Sequence, residues 1–195
     1  MKVGVVGVQG AVSEHISMLE KTFKKLEVNG EAVWVRKREQ LEEVSALIIP
    51  GGESTTISKL MVRNGLLEEV KKKAEKGLPI MGTCAGLILM AKKVEGAVKD
   101  QKFLEILDVA VLRNAYGRQV DSFEADLLLA FSDKPFPGVF IRAPRILEVF
   151  GKAKAIAWHG KEVVGVEQED LIGLAFHPEL TTDTRIHEYF VKKIA

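Results

Sequence analysis

The sequence has a single cysteine, Cys84, among its 195 residues. An internal disulfide framework needs at least two cysteines, so it is excluded, and we expect a reducing, cytoplasmic setting. An excess of charge is also lacking, because 28 lysines and arginines face 27 acidic residues and the net charge is +1. This balance gives no electrostatic basis for a nucleic-acid partner. The apolar run at residues 3–8 is too short for a signal peptide or a membrane span, so we expect no membrane partner.

Internal repeats, low-complexity segments and linkers are absent from the sequence. A chain of this length suits one domain and buries about 70% of its unfolded surface. We therefore expect residues 1–195 to form a single domain.

The first half alternates strand-length apolar runs with helical patterns. Strands are predicted at 3–8, 31–36, 46–49 and 78–81, and helices at 12–26, 38–43, 57–62, 66–76 and 87–93. This βαβα order predicts a parallel sheet that is covered by helices on both faces.

Beyond Val94 the pattern becomes rich in strands. They are predicted at 109–112, 123–129, 138–141, 155–158, 163–167 and 171–176, and a last helix at 181–194, with a Thr181 cap and Asp183 in its first turn. The expected fold is α/β: three layers, with a mostly parallel but mixed central sheet.

Cys84 lies in the segment Gly82-Thr83-Cys84-Ala85-Gly86, between an apolar strand and a predicted helix. Glycines two residues before and after it relieve crowding in a sharp strand-to-helix turn, the geometry of a nucleophile elbow. The adjacent helix N-terminus favours the thiolate, which is the reactive form. A lone cysteine on an apolar segment is more often a small core residue, so the nucleophile interpretation needs a base.

A candidate base lies far downstream, in Phe176-His177-Pro178-Glu179. If this segment is extended, His177 and Glu179 project to the same side. A carboxylate beside an imidazole holds its tautomer and stabilises the imidazolium that forms when it takes a thiol proton. Nucleophile, base and orienting group are then all present, although their spacing does not show that they meet.

Three segments of interest each follow a predicted strand: residues 50–56, the Cys84 turn and His177. Ligands of open α/β sheets bind beyond the carboxyl ends of the strands, so one edge could gather all three. Gly51 and Gly52 leave the backbone free to turn its N–H groups outward as oxyanion donors. The alternative is a plain turn before a serine-capped helix.

These motifs together resemble the class I (triad) glutamine amidotransferases and, within them, the glutaminase subunits of pyridoxal 5′-phosphate synthases. The resemblance runs from near the first residue to the last predicted helix. It rests on the Cys84 and His177 segments and on Gln9-Gly10-Ala11-Val12, Glu14-His15, residues 50–56, residues 113–119, residues 120–124, residues 139–144 and residues 176–181.

The resemblance implies a flavodoxin-like fold in which Cys84 is the nucleophile, His177 the base and Glu179 its orienting group. It implies oxyanion donors at Gly52 and Ala85. It also implies glutamine contacts from Gly52, Glu53, Ser54, Arg113, Ile141 and Arg142. An arginine can pair with the α-carboxylate of glutamine and a glutamate with its α-ammonium group. No metal and no organic cofactor is implied.

The resemblance also implies a partner, because free ammonia is soon protonated in water and ceases to be a nucleophile. In the family the partner is a synthase subunit that builds pyridoxal 5′-phosphate from sugar phosphates and forms a ring decorated by glutaminase subunits. The sequence has no glycine-rich phosphate-binding motif of its own. The family further suggests that the Gln9-Gly10 loop completes the oxyanion site on docking, so the isolated chain would be nearly inactive.

Two other interpretations remain open. The chain could serve another synthase, such as imidazole glycerol phosphate synthase, although residues 113–124 argue against this. It could also be a non-catalytic regulatory subunit, although the intact triad argues against that. Among the other histidines, His15 suits interface packing or chemistry, His159 a hairpin turn, and His187 a solvated or capping position.

Overall fold

The computed structural model describes residues 1–115 and 122–194, and its first half follows the predicted order of elements. The bounds are β1 Lys2–Val6, α1 Val12–Leu26, β2 Glu31–Val35, α2 Arg38–Leu41, β3 Ala46–Ile49, α3 Ser54–Arg63, α4 Leu66–Glu75, β4 Ile80–Thr83 and α5 Ala85–Met90. Among the described residues, no helix is both long enough and apolar enough to cross a membrane.

The second half is built mainly of strands, as predicted. The bounds are β5 Ala91–Glu95, β6 Leu107–Leu112, β7 Ser122–Leu129, β8 Ser132–Ile141, β9 Arg145–Val149, β10 Lys154–His159, β11 Glu162–Gln168 and β12 Leu171–Leu174, then a 3₁₀ turn at Pro178–Leu180 and α6 Arg185–Ile194.

The predicted helix at 87–93 is wrong at its C-terminal end, because α5 stops at Met90 and the chain continues into β5. The carbonyls of Leu89 and Met90 accept hydrogen bonds from the backbone N–H groups of Leu104 and Ile106, at 2.7 and 2.9 Å. These bonds satisfy carbonyls that a helix end leaves unpaired. A contact from a later segment, rather than the local sequence, therefore ends this helix.

The predicted start of the last helix is also wrong. The Thr181 hydroxyl accepts from the backbone N–H of Asp183 and donates to the carbonyl of Pro178, so it stabilises a turn and caps no helix. Asp183 lies just before α6, where its carboxylate accepts from the backbone N–H of Arg185 at 3.0 Å.

The main sheet of the described residues has nine strands, in the order β2-β1-β3-β4-β12-β11-β10-β7-β8. The pairs from β2 to β12 are parallel, and those from β12 to β8 are antiparallel. The mixed sheet is confirmed, with a larger antiparallel share than expected. A second sheet, β5-β6-β9, was not predicted.

The order of the parallel strands fixes where a ligand can bind. The chain moves from β1 to β2 on one side and then returns to β3 on the other. Because such crossovers are right-handed, this reversal places α1 on one face and α2 to α4 on the other. Helix α1 packs against α6, and α3 packs against α4 and α5. The crevice between β1 and β3 is then a topological switch point, where ligands of such sheets bind.

The three strands that lead into the loops of interest are buried on both faces. Every residue of β3, β4 and β12 is buried, which explains their continuous apolar or small-residue sequences. The loops that follow these three strands therefore start from a fixed platform.

Gly86 lets α5 lie directly against β3. A Cβ atom added at Gly86 would lie 2.1 Å from the carbonyl oxygen of Ile49, and one added at Gly82 would lie 2.5 Å from Sδ of Met90. Real side chains do not approach so closely, so the glycines around Cys84 do relieve crowding, as the sequence predicts.

We expect Gly86→Ala to lower the free energy of unfolding by about 3 kcal/mol, because the added methyl group meets a backbone oxygen that cannot rotate away. Gly77→Ala is the matched control, since its Cβ would meet nothing within 4 Å and the substitution strains only a φ of +88°. We expect the control to lower stability by about 1 kcal/mol. Urea denaturation measures both, and equal losses would contradict the packing argument.

Candidate active site

Cys84 occupies the tight turn between β4 and α5. Its backbone has φ 50° and ψ −101°, a conformation that is strained for a non-glycine residue. The backbone N–H donates to the carbonyl of Leu174 on the neighbouring strand β12 at 2.8 Å, which holds the turn in place. The predicted sharp strand-to-helix turn is confirmed, and it leaves the side chain at the first turn of α5.

The structure brings His177 to Cys84. The backbone N–H of His177 donates to the carbonyl of Val139 on β8 at 2.8 Å, and Sγ of Cys84 lies 3.7 Å from the carbonyl of Ile141 on the same strand. A Cβ atom added at Gly51 would lie 2.3 Å from Cε1 of His177 and 3.3 Å from Cβ of Cys84. The loops after β3, β4 and β12 therefore converge at this point.

Glu179 lies behind His177, with its Oε1 atom 2.7 Å from Nδ1 of the imidazole. Residues 178–180 form a 3₁₀ turn, so the expectation of an extended segment was wrong. The two side chains meet because this short turn folds the carboxylate back under the ring. The Glu179 side chain has no exposed surface.

The surroundings of His177 and Glu179 favour the charged form of both side chains. Burial opposes a charged His177, but its hydrogen bonds with Cys84 and Glu179 and the charges of both groups prevail and raise the pKa of His177 to about 10. Burial likewise opposes a charged Glu179, but the neighbouring imidazoles of His15 and His177 prevail and lower the pKa of the Glu179 carboxyl. The arrangement can therefore hold an imidazolium between a carboxylate and a sulfur atom.

A cleft of about 410 Å³ opens above Cys84 and His177, a size that suits a small molecule. Its lining includes these predicted residues: Gly52, Glu53, Ser54, Cys84, Arg113, Ile141, Arg142 and His177. Ala85 is buried as the first residue of α5, and Glu179 supports His177 from behind.

Four further residues line the cleft: Gln9, Ile88, Asn114 and Ser122. Ile88 was missed, although it is four residues after Cys84 and therefore lies on the same side of the helix. Asn114 and Ser122 belong to the motif stretches 113–119 and 120–124 but were not singled out. Residues 116–121 of those stretches lie outside the described residues.

Opposite charges face each other across the cleft. Nη2 of Arg113 is 3.9 Å from Oε2 of Glu53. The Arg113 side chain is 13% exposed, whereas that of Glu53 is 56% exposed, so the guanidinium is held in the wall and the carboxylate lies near the rim. An anionic and a cationic group on one small ligand could each find a partner here.

The Gln9 side chain covers the loop after β3. Its Oε1 atom accepts from the backbone N–H of Glu53 at 3.0 Å, and a Cβ atom added at Gly52 would lie 2.5 Å from the same oxygen.

Ser54 is the first residue of α3 and makes no capping bond; its hydroxyl accepts from Gln101 at 3.3 Å. The simple picture of a serine-capped helix is therefore wrong.

The predicted site for His187 is wrong, because its side chain is fully buried rather than solvated. His15 is equally buried, and its Nδ1 atom lies 3.0 Å from Nε2 of His187. His187 shares the buried face of α6 with Phe190 and Val191, three and four residues further on, and this spacing was the available signal. His159 ends β10 just before the turn to β11, as predicted.

Comparison with known proteins gives a consistent result. The profile of the SNO glutamine amidotransferase family matches residues 5–195. The pyridoxal 5′-phosphate synthase subunit PdxT of Thermococcus onnurineus is 69% identical over 194 residues, which is 99% of this chain and 98% of that protein. The protein of the same name from Pyrococcus horikoshii is 66% identical over the full length of both chains.

Solved structures agree. A crystal structure described as a glutamine amidotransferase has a TM-score of 0.88 and 44% identity, covering 98% of both chains. A glutamine amidotransferase from Thermotoga maritima has a TM-score of 0.62 at 16% identity, over 100% of this chain and 84% of that one, and supports the fold alone.

The raised pKa of His177 predicts a pH dependence of stability. Because the folded pKa of about 10 exceeds the ordinary value of 6.5, the stabilisation by the charged ring is complete below about pH 6.5 and is lost as pH rises towards 10. We expect Glu179→Gln, which removes the carboxylate charge, to lower the pKa of His177 and reduce this loss. Urea denaturation of both proteins across this range measures the difference, and parallel stability curves would contradict the assignment.

Proposed function

This chain belongs to the SNO glutamine amidotransferase family, and from that premise we propose that it is the glutaminase subunit of a pyridoxal 5′-phosphate synthase. Relatives that are 69% and 66% identical over essentially the whole chain carry that subunit name. The proposed catalytic activity rests mainly on one observation. Cys84, His177 and Glu179 come together at the floor of a cleft, and Arg113 and Glu53 lie above them.

We assign Cys84 as the nucleophile of glutamine hydrolysis. Its thiolate attacks the carbon of the side-chain amide, and the carbonyl oxygen becomes an oxyanion. We propose that the backbone N–H groups of Gly52 and Ala85 donate to this oxyanion. Ala85 is the first residue of α5, and the N–H groups of a first helical turn have no acceptor within the helix.

His177 handles the protons of both half-reactions. As an imidazolium it protonates the amide nitrogen, the C–N bond breaks, and ammonia leaves with a glutamyl thioester on Cys84. The neutral ring then takes a proton from water as that water attacks the thioester. Glutamate and the thiolate are released, and the net reaction is glutamine plus water to glutamate plus ammonia. Glu179 stabilises the imidazolium at both stages.

The cleft contains groups that suit the α-amino acid end of glutamine. We propose that Arg113 and Arg142 bind its α-carboxylate and that Glu53 binds its α-ammonium group, while Gly52, Ser54 and Ile141 form the adjoining wall. The support is the position of these residues around the cleft and the separation of 3.9 Å between Arg113 and Glu53, which leaves their charges loosely paired.

A synthase subunit is the partner that makes this activity useful, because ammonia released into water is protonated. We further propose that the synthase subunits form a ring that carries copies of this chain, and that the complex is cytoplasmic, which one cysteine in 195 residues suits. We take residues 1–195 as one glutaminase domain, since the nine-stranded sheet draws strands from both halves of the chain.

The first test measures glutamate release from glutamine by this chain, alone and with the synthase subunit from the same genome. We expect activity with the partner, little without it, and a loss of at least about 10³-fold in Cys84→Ala, because no other nucleophile can form the thioester. A binding measurement on the variant shows that docking survives. If the wild-type chain binds the synthase and yet releases no glutamate, the regulatory interpretation replaces this one.

Arg113→Lys tests the substrate site. Lysine keeps the charge but loses the two parallel donors of a guanidinium, so we expect KM for glutamine to rise about tenfold with kcat changed less than twofold. Arg145→Lys is the matched control, because Arg145 is half exposed and pairs with Glu162 away from the cleft. Steady-state kinetics of the complex measures both variants, and an unchanged KM for Arg113→Lys would remove Arg113 from the substrate site.

A further inference from the structure

A chain of buried polar side chains continues behind Glu179, away from the cleft. Oε2 of Glu179 lies 3.4 Å from Nε2 of His15, which is also 3.1 Å from the hydroxyl of Thr83. Nδ1 of His15 lies 3.0 Å from Nε2 of His187. His15, Thr83 and His187 are all fully buried, and the glutamine chemistry described above uses none of them.

Burial disfavours the charged form of both outer imidazoles. Burial lowers the pKa of His15, and the nearby His177 adds to this effect against the attraction of Glu179. Burial lowers the pKa of His187 well below its ordinary value, and His15 lowers it further. A neutral imidazole has one nitrogen that donates and one that accepts, and the contacts of each ring decide which is which.

Of the two possible tautomers of His15, one satisfies the hydrogen-bonding groups of these buried side chains better than the other. If Nδ1 of His15 carries the proton, it donates to His187, and the other nitrogen of His15 then turns a lone pair towards the Glu179 carboxylate. In that case Nδ1–H of His187 is a buried donor, and no partner for this atom is found among the described residues. A buried, unpaired donor and a repulsive contact with a carboxylate are both unfavourable.

If Nε2 of His15 carries the proton, both problems disappear. The N–H then lies between the Thr83 hydroxyl and Oε2 of Glu179, and its second nitrogen accepts from Nε2–H of His187. Nδ1 of His187 stays unpaired, but it is then an acceptor rather than a donor. Within residues 1–115 and 122–194, Oε2 of Glu179 has no formed hydrogen bond, and its contact with Nε2 of His15 at 3.4 Å is electrostatic.

We propose that His15 is a positioning residue of the glutaminase site, which holds the Glu179 carboxylate by presenting its Nε2–H to Oε2 while His187 fixes the His15 tautomer. The proposal rests on the proposed glutaminase function and deepens it. With Oε2 held from behind, Oε1 stays 2.7 Å from the ring of His177. The carboxylate then remains charged and oriented throughout the reaction.

Two substitutions at position 15 separate this role from simple packing. A glutamine amide nitrogen can take the place of Nε2 of histidine, whereas an asparagine amide reaches only the place of Nδ1. We expect His15→Asn to lower kcat of the complex about tenfold with KM for glutamine within twofold, as for other groups that orient a reacting residue. His15→Gln, which retains the donor towards Glu179, should recover kcat to within about threefold of the wild type.

Met18→Leu is the matched control for the packing of α1, because Met18 is buried on the same helix and carries no hydrogen-bonding N–H or O–H group. We expect its kcat and KM to stay within twofold of the wild type. Equal kcat values for His15→Asn and His15→Gln would overturn the proposal, and so would a wild-type kcat in His15→Asn.

A second measurement needs neither activity nor a variant. Nitrogen-15 NMR of the labelled wild-type chain distinguishes protonated from unprotonated imidazole nitrogens. We expect His15 to carry its proton on Nε2 and His187 on Nε2. A proton on Nδ1 of His15 would overturn the proposal whatever the kinetics show. This measurement also separates the proposed role of His15 from the proposed glutaminase function, because the tautomer of His15 can be measured even if the glutaminase assay fails.

Discussion

The site depends on how closely three backbone segments approach one another at the carboxyl edge of the parallel strands. The Ile49 carbonyl touches Gly86 of α5, and Gly51 lies between His177 and Cys84 with no room for a side chain. Close approach of this kind is possible only because β3, β4 and β12 are buried on both faces and hold their loops at fixed positions. The reacting groups are therefore positioned by packing before any ligand arrives.

Electrostatics then acts on this fixed arrangement. Burial opposes a charge on both His177 and Glu179. Interactions with Cys84 and Glu179 nevertheless raise the pKa of His177, and interactions with His15 and His177 lower the pKa of the Glu179 carboxyl, whose Oε1 lies 2.7 Å from the His177 ring. The antiparallel half of the sheet contributes as well, since the carbonyls of Val139 and Ile141 on β8 contact the backbone of His177 and the sulfur of Cys84. Strands outside the parallel part of the sheet thus help to fix the positions of His177 and Cys84.

The sequence predicts those parts of the fold that local composition determines. The strand at 46–49 and the helix at 12–26 have the predicted bounds, because one is continuously apolar and the other is amphipathic at helical spacing. The end of α5 depends on Leu104 and Ile106, which donate from a later loop, so no local pattern could reveal it. Strand β9 has only five residues and no regular alternation, and it is defined by its pairing with β6.

The candidate site, like the fold, has a part that the sequence predicts and a part that it does not. The family resemblance, but not the motif spacing, predicted that Cys84, His177 and Glu179 act together, and the structure brings the three side chains together. The pairing of His15 with His187 joins residues 172 positions apart. The sequence suggested interface packing or chemistry for His15 and a solvated or capping position for His187. Sequence patterns therefore identify buried polar residues on helices less well than they identify the other residues of this site.

The left-handed backbone of Cys84 means that the working sequence is not the most stable one for this fold. At φ 50° and ψ −101° a glycine would relax the turn, whereas every side chain that could act there is strained. Selection for stability alone would remove the sulfur atom, and selection for chemistry keeps it in place. If Cys84 is the nucleophile that we propose, the protein gives up some folding free energy to keep its sulfur atom at the start of α5.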